Sequence, residues 1–413
     1  MLQLALTYQL VRQVEVMKKI GIWVLALFCL TTFLSAPASA AVKPGATCSK
    51  AGTTNTSAGK KFTCIKSGKK LVWNQGVAVT KPVVAASPTP SITPEPVVEK
   101  LPALPASFSD LEENFAGIPY ATWQQIQKNL ALYKSTDLKI SFLFGPNTPE
   151  RYPNQWTIDA VTLGSRVMGG QKQPAEVKFV EFNKQDVSWA RTEASKYVSP
   201  FQLGESFPDQ ASDKCANIDC DGAVTNIASD IGLVLVGVST PITRLNIQKF
   251  NGQNDLHEYT HAVQGMVFKG KTQSPPPVLM PCWYSEGQPQ AVSIPTVAKS
   301  AEDYVRIRKG WMTDNRWLLK DYEPETIQEF LRNNMKTPSC PSGTYPMVAS
   351  LGYIVMDSLV AIGGIDKTFD VLAARAEGLS FEDSFKKVYG ISWDEASVVL
   401  SRVASKVFKD LKK

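Results

Sequence analysis

Hydrophobic side chains recur at helical spacing over most of the C-terminal part of the chain and alternate only in short stretches elsewhere. The helical spacing predicts helices over residues 122–133, 154–167, 188–197, 256–267, 347–362, 365–375, 380–388 and 393–406. Alternating or continuous apolar runs predict strands over residues 138–143, 177–182 and 232–238. We therefore expect an α+β domain over residues 107–413, with a small mixed sheet and a mainly helical C-terminal half.

Residues 41–81 follow a different pattern, in which short strand-like segments alternate with Gly and Ser turns. Eight lysines and no Asp or Glu occur between residues 43 and 81. A unit of this size buries little apolar surface, so we expect a disulfide between Cys48 and Cys64 to hold a small β module together. The segment resembles a short Cys-Lys-Gly-Trp module of exported proteins of Gram-positive bacteria. Its lysines are interpreted either as a binding surface for anionic cell-wall polymers or as a solvated basic spacer.

The segments that flank this module lack the pattern of a folded domain. Residues 82–106 are rich in Pro, Ala, Val, Ser and Thr, a composition typical of a semi-rigid linker. Residues 1–40 have the three parts of a secretory signal peptide, with a basic region at Lys18 and Lys19, an apolar stretch over residues 21–34 and a small-residue cleavage site ending at Ala40. The pattern favours Met17 as the true start, and the apolar stretch is short for a membrane span. We expect a secreted or cell-surface protein with no membrane span after cleavage.

The cysteine count fits export. Signal cleavage removes Cys29 and leaves six cysteines, an even number that indicates disulfides outside the cell. Proximity in sequence favours the pairs Cys48–Cys64 and Cys215–Cys220, and leaves Cys282–Cys340. The formal net charge of +6 is mild for 413 residues, and no nucleic-acid-binding motif occurs. Nucleic acid is therefore not expected as a partner.

The chain contains two histidines, and both lie in the pentapeptide His257-Glu-Tyr-Thr-His261. On a helix, positions i and i+4 share a face, so both imidazoles reach one metal ion, and H-E-x-x-H is the zinc-binding motif of metallopeptidases. Catalytic zinc takes three protein ligands, so the third ligand must be a carboxylate. Asp255, Glu286 and Glu302 are the candidates.

Glu286 lies in the sequence Trp283-Tyr-Ser-Glu286-Gly287. The pair H-E-x-x-H and W-x-x-E-G resembles the gluzincin metallopeptidases, the thermolysin-like class. The resemblance covers residues 230–400, and it implies a zincin-like fold with zinc held by His257, His261 and Glu286. It also implies that Glu258 acts as general base towards zinc-bound water that attacks a peptide carbonyl.

The same resemblance raises further expectations about the surroundings of the metal. A tyrosine is expected to stabilise the oxyanion, with Tyr345 preferred over Tyr353. Gln290 stands where a carboxylate often holds a ligand histidine, and Pro289 suggests a helix that starts late or is distorted. The strand over residues 232–238 is expected to align substrate by edge pairing.

The leading hypothesis is a secreted zinc peptidase that hydrolyses peptide bonds in peptides or proteins. One alternative is a catalytically inactive protein of peptidase fold that binds the cell wall. Another is a zinc hydrolase that acts on wall peptides.

Overall fold

The computed structural model describes residues 42–78, 101–197, 204–216, 219–239, 251–271, 279–315, 321–336 and 345–411. The chain divides into two compact units, Met1–Val97 and Val98–Lys413. Within the described ranges, no helix combines the length and the hydropathy that crossing a membrane requires. The predicted signal peptide and most of the predicted linker lie outside the described residues.

The first unit is a small antiparallel β structure. Its strands are β1 (Thr54–Ser57), β2 (Lys60–Ser67), β3 (Lys70–Trp73) and β4 (Val77–Ala78). Strand β2 pairs with each of the other three. Phe62 and Cys64 are its buried apolar side chains, and the predicted disulfide Cys48–Cys64 is confirmed.

The second unit contains a four-stranded mixed sheet. Its strands are β5 (Lys139–Phe144), β6 (Glu176–Phe182), β7 (Ala223–Ala228) and β8 (Ile231–Gly237), in the spatial order β5-β6-β8-β7. Strands β5, β6 and β8 are parallel, and β7 runs antiparallel at the edge. The expectation that the strand near residues 232–238 pairs with substrate is wrong, because β8 has a strand on each side. The edge strands are β5, which the sequence pattern predicted, and β7, which it did not.

Apolar side chains alternate between the two faces of this sheet. Val177, Phe179, Val234 and Val236 join the main core, whereas residues such as Phe182 pack into a smaller core on the opposite face. The smaller core includes Cys215 and Cys220, whose predicted disulfide is also confirmed. The sheet is therefore covered on both faces.

Helices form the rest of the second unit. They are α1 (Ile118–Leu132), α2 (Asn154–Val167), α3 (Val187–Ser195), α4 (Gln210–Lys214), α5 (Gln253–Phe268), α6 (Cys282–Val297), α7 (Ala301–Asn315), α8 (Pro324–Lys336), α9 (Tyr345–Ala376), α10 (Phe381–Tyr389) and α11 (Trp393–Asp410). Helix α9 is interrupted at Gly364, whose φ of 77° is in the left-handed region that favours glycine. The α+β class is thus confirmed, with a small sheet and a helical C-terminal half.

Two features of α6 fix its place beside α5. The helix begins at Cys282, ahead of Glu286, and continues through Pro289, so the expected late start is wrong. A Cβ atom added to Gly287 would lie 2.3 Å from the backbone oxygen of Gly352 on α9, so only glycine permits this helix crossing. Trp283 stacks on Trp393 of α11, with ring centroids 5.1 Å apart, and anchors the first turn of α6.

Residues 101–106 lie against this unit, although their composition is that of the linker. Pro105 is buried, and the carbonyl oxygen of Ala103 lies close to Gly117. Cys282 is disulfide-bonded, and its predicted partner Cys340 lies outside the described residues.

Candidate metal centre

Helix α5 carries both histidines on one face. It packs between the sheet and α6, and His257 is 3% exposed. The spacing of four residues brings the Nε2 atoms of His257 and His261 to 3.1 Å from each other. The two imidazoles therefore converge on one point, as the motif predicts.

Glu286 completes the group from α6. Its Oε2 atom lies 3.5 Å from Nε2 of His257 and 3.6 Å from Nε2 of His261. Among the described residues, these three form the one cluster of His, Cys, Asp or Glu whose donor atoms are close enough to share a metal ion.

The three donor atoms fit zinc. With ligand bonds of about 2.0–2.1 Å, a tetrahedral zinc site separates its ligand atoms by about 3.3 Å. The measured separations of 3.1, 3.5 and 3.6 Å lie close to that value on either side. Two nitrogens and one carboxylate oxygen are also the donor set of catalytic zinc sites.

Gln264, one helical turn further along α5, determines which ring nitrogen of His261 carries the proton. Nδ1 of His261 lies 2.8 Å from Oε1 of Gln264, while Nε2 of Gln264 donates to the backbone oxygen of Ser285 at 3.0 Å. Since a carbonyl oxygen only accepts, the amide orientation of Gln264 is fixed, and Nδ1 of His261 must be the donor. The lone pair of the neutral ring is then on Nε2, which faces Glu286.

His257 lacks an equivalent partner. Its Nδ1 atom is buried and has no hydrogen-bond partner among the described residues. Gln290, which the sequence suggested as a partner for a ligand histidine, instead accepts from Gln253 Nε2 at 3.1 Å. Among the residues that the structure describes, only His261 is therefore held through its second nitrogen.

Glu258 contacts β7, one of the two edge strands of the sheet. Its side chain is 7% exposed, and Oε2 accepts a hydrogen bond of 2.7 Å from Oγ1 of Thr225 on β7. The same hydroxyl lies 3.1 Å from the backbone oxygen of Glu258. Thr225 thus holds both the carboxylate and this turn of α5 against the sheet.

The charges of the cluster are strongly coupled. Burial lowers the pKa of His261, but the neighbouring Glu286 carboxylate outweighs it and raises the pKa to about 9. Burial raises the pKa of Glu286, but His261 and His257 outweigh it and bring it well below its usual range. Glu286 is therefore ionised, as a metal ligand must be, whereas His261 must release its Nε2 proton when a metal binds.

The two other candidate ligands are placed elsewhere. Asp255 is fully buried and accepts from Arg151, Tyr152 and Thr157, with the Arg151 contact at 3.1 Å. Glu302 lies in the first turn of α7, fully exposed, where hydrogen bonds from its own backbone and from Ser300 lower its pKa. Neither belongs to the cluster of His257, His261 and Glu286.

The two tyrosines considered for the oxyanion differ. Tyr353 is fully buried and its hydroxyl contacts that of Tyr304 at 2.9 Å, within a network that includes Asp357 and Arg308. The hydroxyl of Tyr353 is therefore engaged in this buried network. Tyr345 begins α9, and its side chain lies outside the described residues.

Two residues at the site were missed from the sequence. Gln264 stands three residues after His261, a helical spacing that could have revealed it. Thr225 carried no comparable signal, because its contact with Glu258 joins an edge strand to a helix.

Comparison of the chain with protein-family models, with curated proteins and with solved structures finds no match.

Proposed function

We propose that the unit Val98–Lys413 is a secreted zinc-dependent peptidase with a zincin-like fold. The observation that carries the proposal is the convergence of His257 Nε2, His261 Nε2 and Glu286 Oε2, with separations of 3.1–3.6 Å. Further support comes from the mixed sheet, the buried helix with H-E-x-x-H and the helical C-terminal half, which agree with the architecture that the gluzincin resemblance implies. The disulfides Cys48–Cys64 and Cys215–Cys220 fit an oxidising compartment.

His257, His261 and Glu286 would hold the ion. Bound zinc supplies a Lewis acid that lowers the pKa of water and polarises a carbonyl group. Glu258 accepts the proton of the attacking water and passes it to the leaving amine. Because Thr225 engages Oε2 of Glu258, the proton is carried on Oε1. Tyr345 is the proposed donor to the oxyanion.

The edge strand β7 is the proposed guide for the substrate. The hydrogen bond from Gly237 N to Gly222 O at 2.9 Å fixes the alternation of the β7–β8 pair. That alternation turns the backbone groups of Ala223, Thr225 and Ile227 away from β8, and the N–H of Ile227 is bound by its neighbour Asn226. An extended peptide therefore pairs with the backbone of Ala223 and Thr225, the latter of which also contacts the general base.

Metal content tests the ligand set directly. We expect about one zinc per wild-type chain by plasma mass spectrometry, and loss of zinc in His261→Ala and Glu286→Ala. Glu302→Ala is the matched control, because it removes a candidate carboxylate that lies outside the cluster. A folded wild-type chain that binds no zinc even after supplementation would refute the proposal and favour an inactive protein of peptidase fold.

Hydrolysis tests the reaction. Glu258→Gln should keep its zinc and lose about 10²–10⁴-fold in rate on a mixed peptide library, because the base is removed and the ligands remain. Purified cell-wall sacculi provide the second substrate. Release of wall peptides without cleavage of the library would identify a zinc hydrolase of wall peptides instead.

A further inference from the structure

The first unit has a charge that the rest of the chain does not share. Residues 42–78 contain seven lysines and no Asp, Glu or Arg, whereas the formal net charge of the whole chain is +6. The basic excess of the protein therefore resides in this unit. All seven lysines are exposed: Lys43, Lys50, Lys60, Lys61, Lys66, Lys69 and Lys70.

The lysines form two groups at opposite ends of strand β2. Lys60 and Lys61 begin the strand, whereas Lys66 lies near its end, close to Lys69 in the turn and to Lys70, which begins β3. Lys70 pairs with Ser67, which lies six residues after Lys61, so Lys61 and Lys70 share one face and are about 20 Å apart at about 3.3 Å per residue. A compact anion can contact one group, but only an extended polyanion can reach both.

The surface of β2 between the two lysine groups is uncharged. Thr63 and Ile65 alternate with the buried Phe62 and Cys64, so they share the opposite face of β2. Ile65 is 44% exposed on this face. This middle section therefore offers a hydroxyl and an aliphatic side chain rather than a third charged contact.

The residue types favour phosphodiester groups over bases. Lysine acts as a point charge that tolerates any orientation of a phosphate, while arginine would add bidentate geometry. Binding of single-stranded nucleic acid depends on exposed aromatic rings, but Phe62 is 4% exposed and Trp73 is half-buried. The disulfide Cys48–Cys64 fits an extracellular location.

We infer that residues 42–78 bind a linear phosphodiester polymer of the cell surface, with one lysine group at each end of β2 contacting the polymer. The two groups act together because the polymer carries a charge at every repeat. Binding is electrostatic and independent of the metal centre, so the inference stands or falls separately from the peptidase proposal.

The experiment measures the affinity of the full chain for poly(glycerol phosphate) immobilised on beads. Wild-type affinity should fall more than about tenfold between about 50 and 200 mM salt, because binding releases counterions. Lys60→Gln/Lys61→Gln and Lys69→Gln/Lys70→Gln should each weaken binding several-fold, and the fourfold variant at least about tenfold. The control is Lys128→Gln/Lys134→Gln, which removes two exposed lysines from the second unit and should leave binding unchanged.

A thiol titration that counts as many free cysteines in each variant as in the wild type verifies that Cys48–Cys64 is intact. The inference is overturned if the fourfold variant binds as wild type, or if the control loses as much as the double variants. It is also overturned if the wild type prefers single-stranded DNA or phosphatidylglycerol vesicles to the polymer.

Discussion

Oε1 of Gln264 lies 2.8 Å from Nδ1 of His261, and this contact starts a chain of hydrogen bonds that crosses three helices. Nε2 of Gln264 donates to Oε1 of Gln288 on α6, and Nε2 of Gln288 donates to Oγ1 of Thr368 on α9. The chain ends where Thr368 donates to the backbone oxygen of Ile365 at 2.6 Å. The acceptor of each hydrogen bond determines how the donor side chain before it is oriented. The orientation of the His261 imidazole therefore depends on the backbone carbonyl of Ile365, two helices away.

Gln264→Ala should weaken zinc binding by about 10–100-fold, because the ring of His261 loses the acceptor that holds its tautomer and orientation. Competition with a chromogenic chelator measures this affinity without reference to activity. Thr368→Val removes the far end of the chain and should weaken binding by a smaller factor. Equal affinity in wild type and Gln264→Ala would show that Gln264 does not position His261.

Thr225→Val should lower kcat by about tenfold while zinc content stays at the wild-type level, because Glu258 loses the hydroxyl that holds its Oε2. Thr225→Ser keeps the donor and should restore most of the rate. Steady-state kinetics on a peptide substrate separate the effect on kcat from that on KM. An unchanged kcat in Thr225→Val would show that this hydroxyl does not position Glu258.

Local sequence patterns predicted much of this architecture. The helix Asn154–Val167 was predicted with its exact bounds, and strands β5, β6 and β8 within one or two residues. The helix has clear periodicity because one face of it is buried, whereas β8 is a continuous apolar run because the sheet is covered on both faces. Helix α6 was not predicted from its periodicity, since it is buried on nearly all sides and contains Pro289 and Pro295.

The candidate site was predictable where its chemistry is local. His257, Glu258 and His261 share one helix, so their spacing alone predicts their convergence. The choice of Glu286 over Asp255 as third ligand depended on the family resemblance, because both are carboxylates near the motif. The structure distinguishes the two, since Asp255 is paired with a cationic side chain. Strand β7 and Thr225 were not predictable, because an edge strand with Ala, Thr and Asn has a weak pattern.

Asp255→Asn should reduce the free energy of unfolding by about 3–5 kcal/mol, because it breaks a buried ion pair and leaves Arg151 short of one partner. Arg151 also contacts Glu181 at 2.6 Å, so the cluster joins β6 to the first turn of α5. Urea unfolding monitored by fluorescence measures the change. The exposed pair Arg191–Asp209 supplies the control, where Asp209→Asn should cost less than about 1 kcal/mol. Equal effects of the two variants would contradict a structural role for Asp255.

Glu176 should make the stability of the sheet depend on pH in the acid range. Burial raises the pKa of Glu176, but hydrogen bonds from Lys178, Ser141 and Lys139 outweigh it and bring the pKa from 4.5 to about 2. Since the folded pKa is the lower one, the stabilisation is complete above pH 4.5 and is lost as the pH falls from 4.5 to 2.

Glu176→Gln removes this contribution. The difference in free energy of unfolding between wild type and Glu176→Gln should be on the order of 1 kcal/mol near neutral pH and shrink towards zero near pH 2, because the lysine contacts are partly screened by solvent. Urea unfolding at a series of pH values measures it, with the exposed Glu113→Gln as the matched control. High salt should reduce the neutral-pH difference, since Lys139 is 69% exposed. A difference that stays constant down to pH 2 would mean that packing of the Glu176 side chain, rather than its charge, stabilises the pairing of β5 with β6.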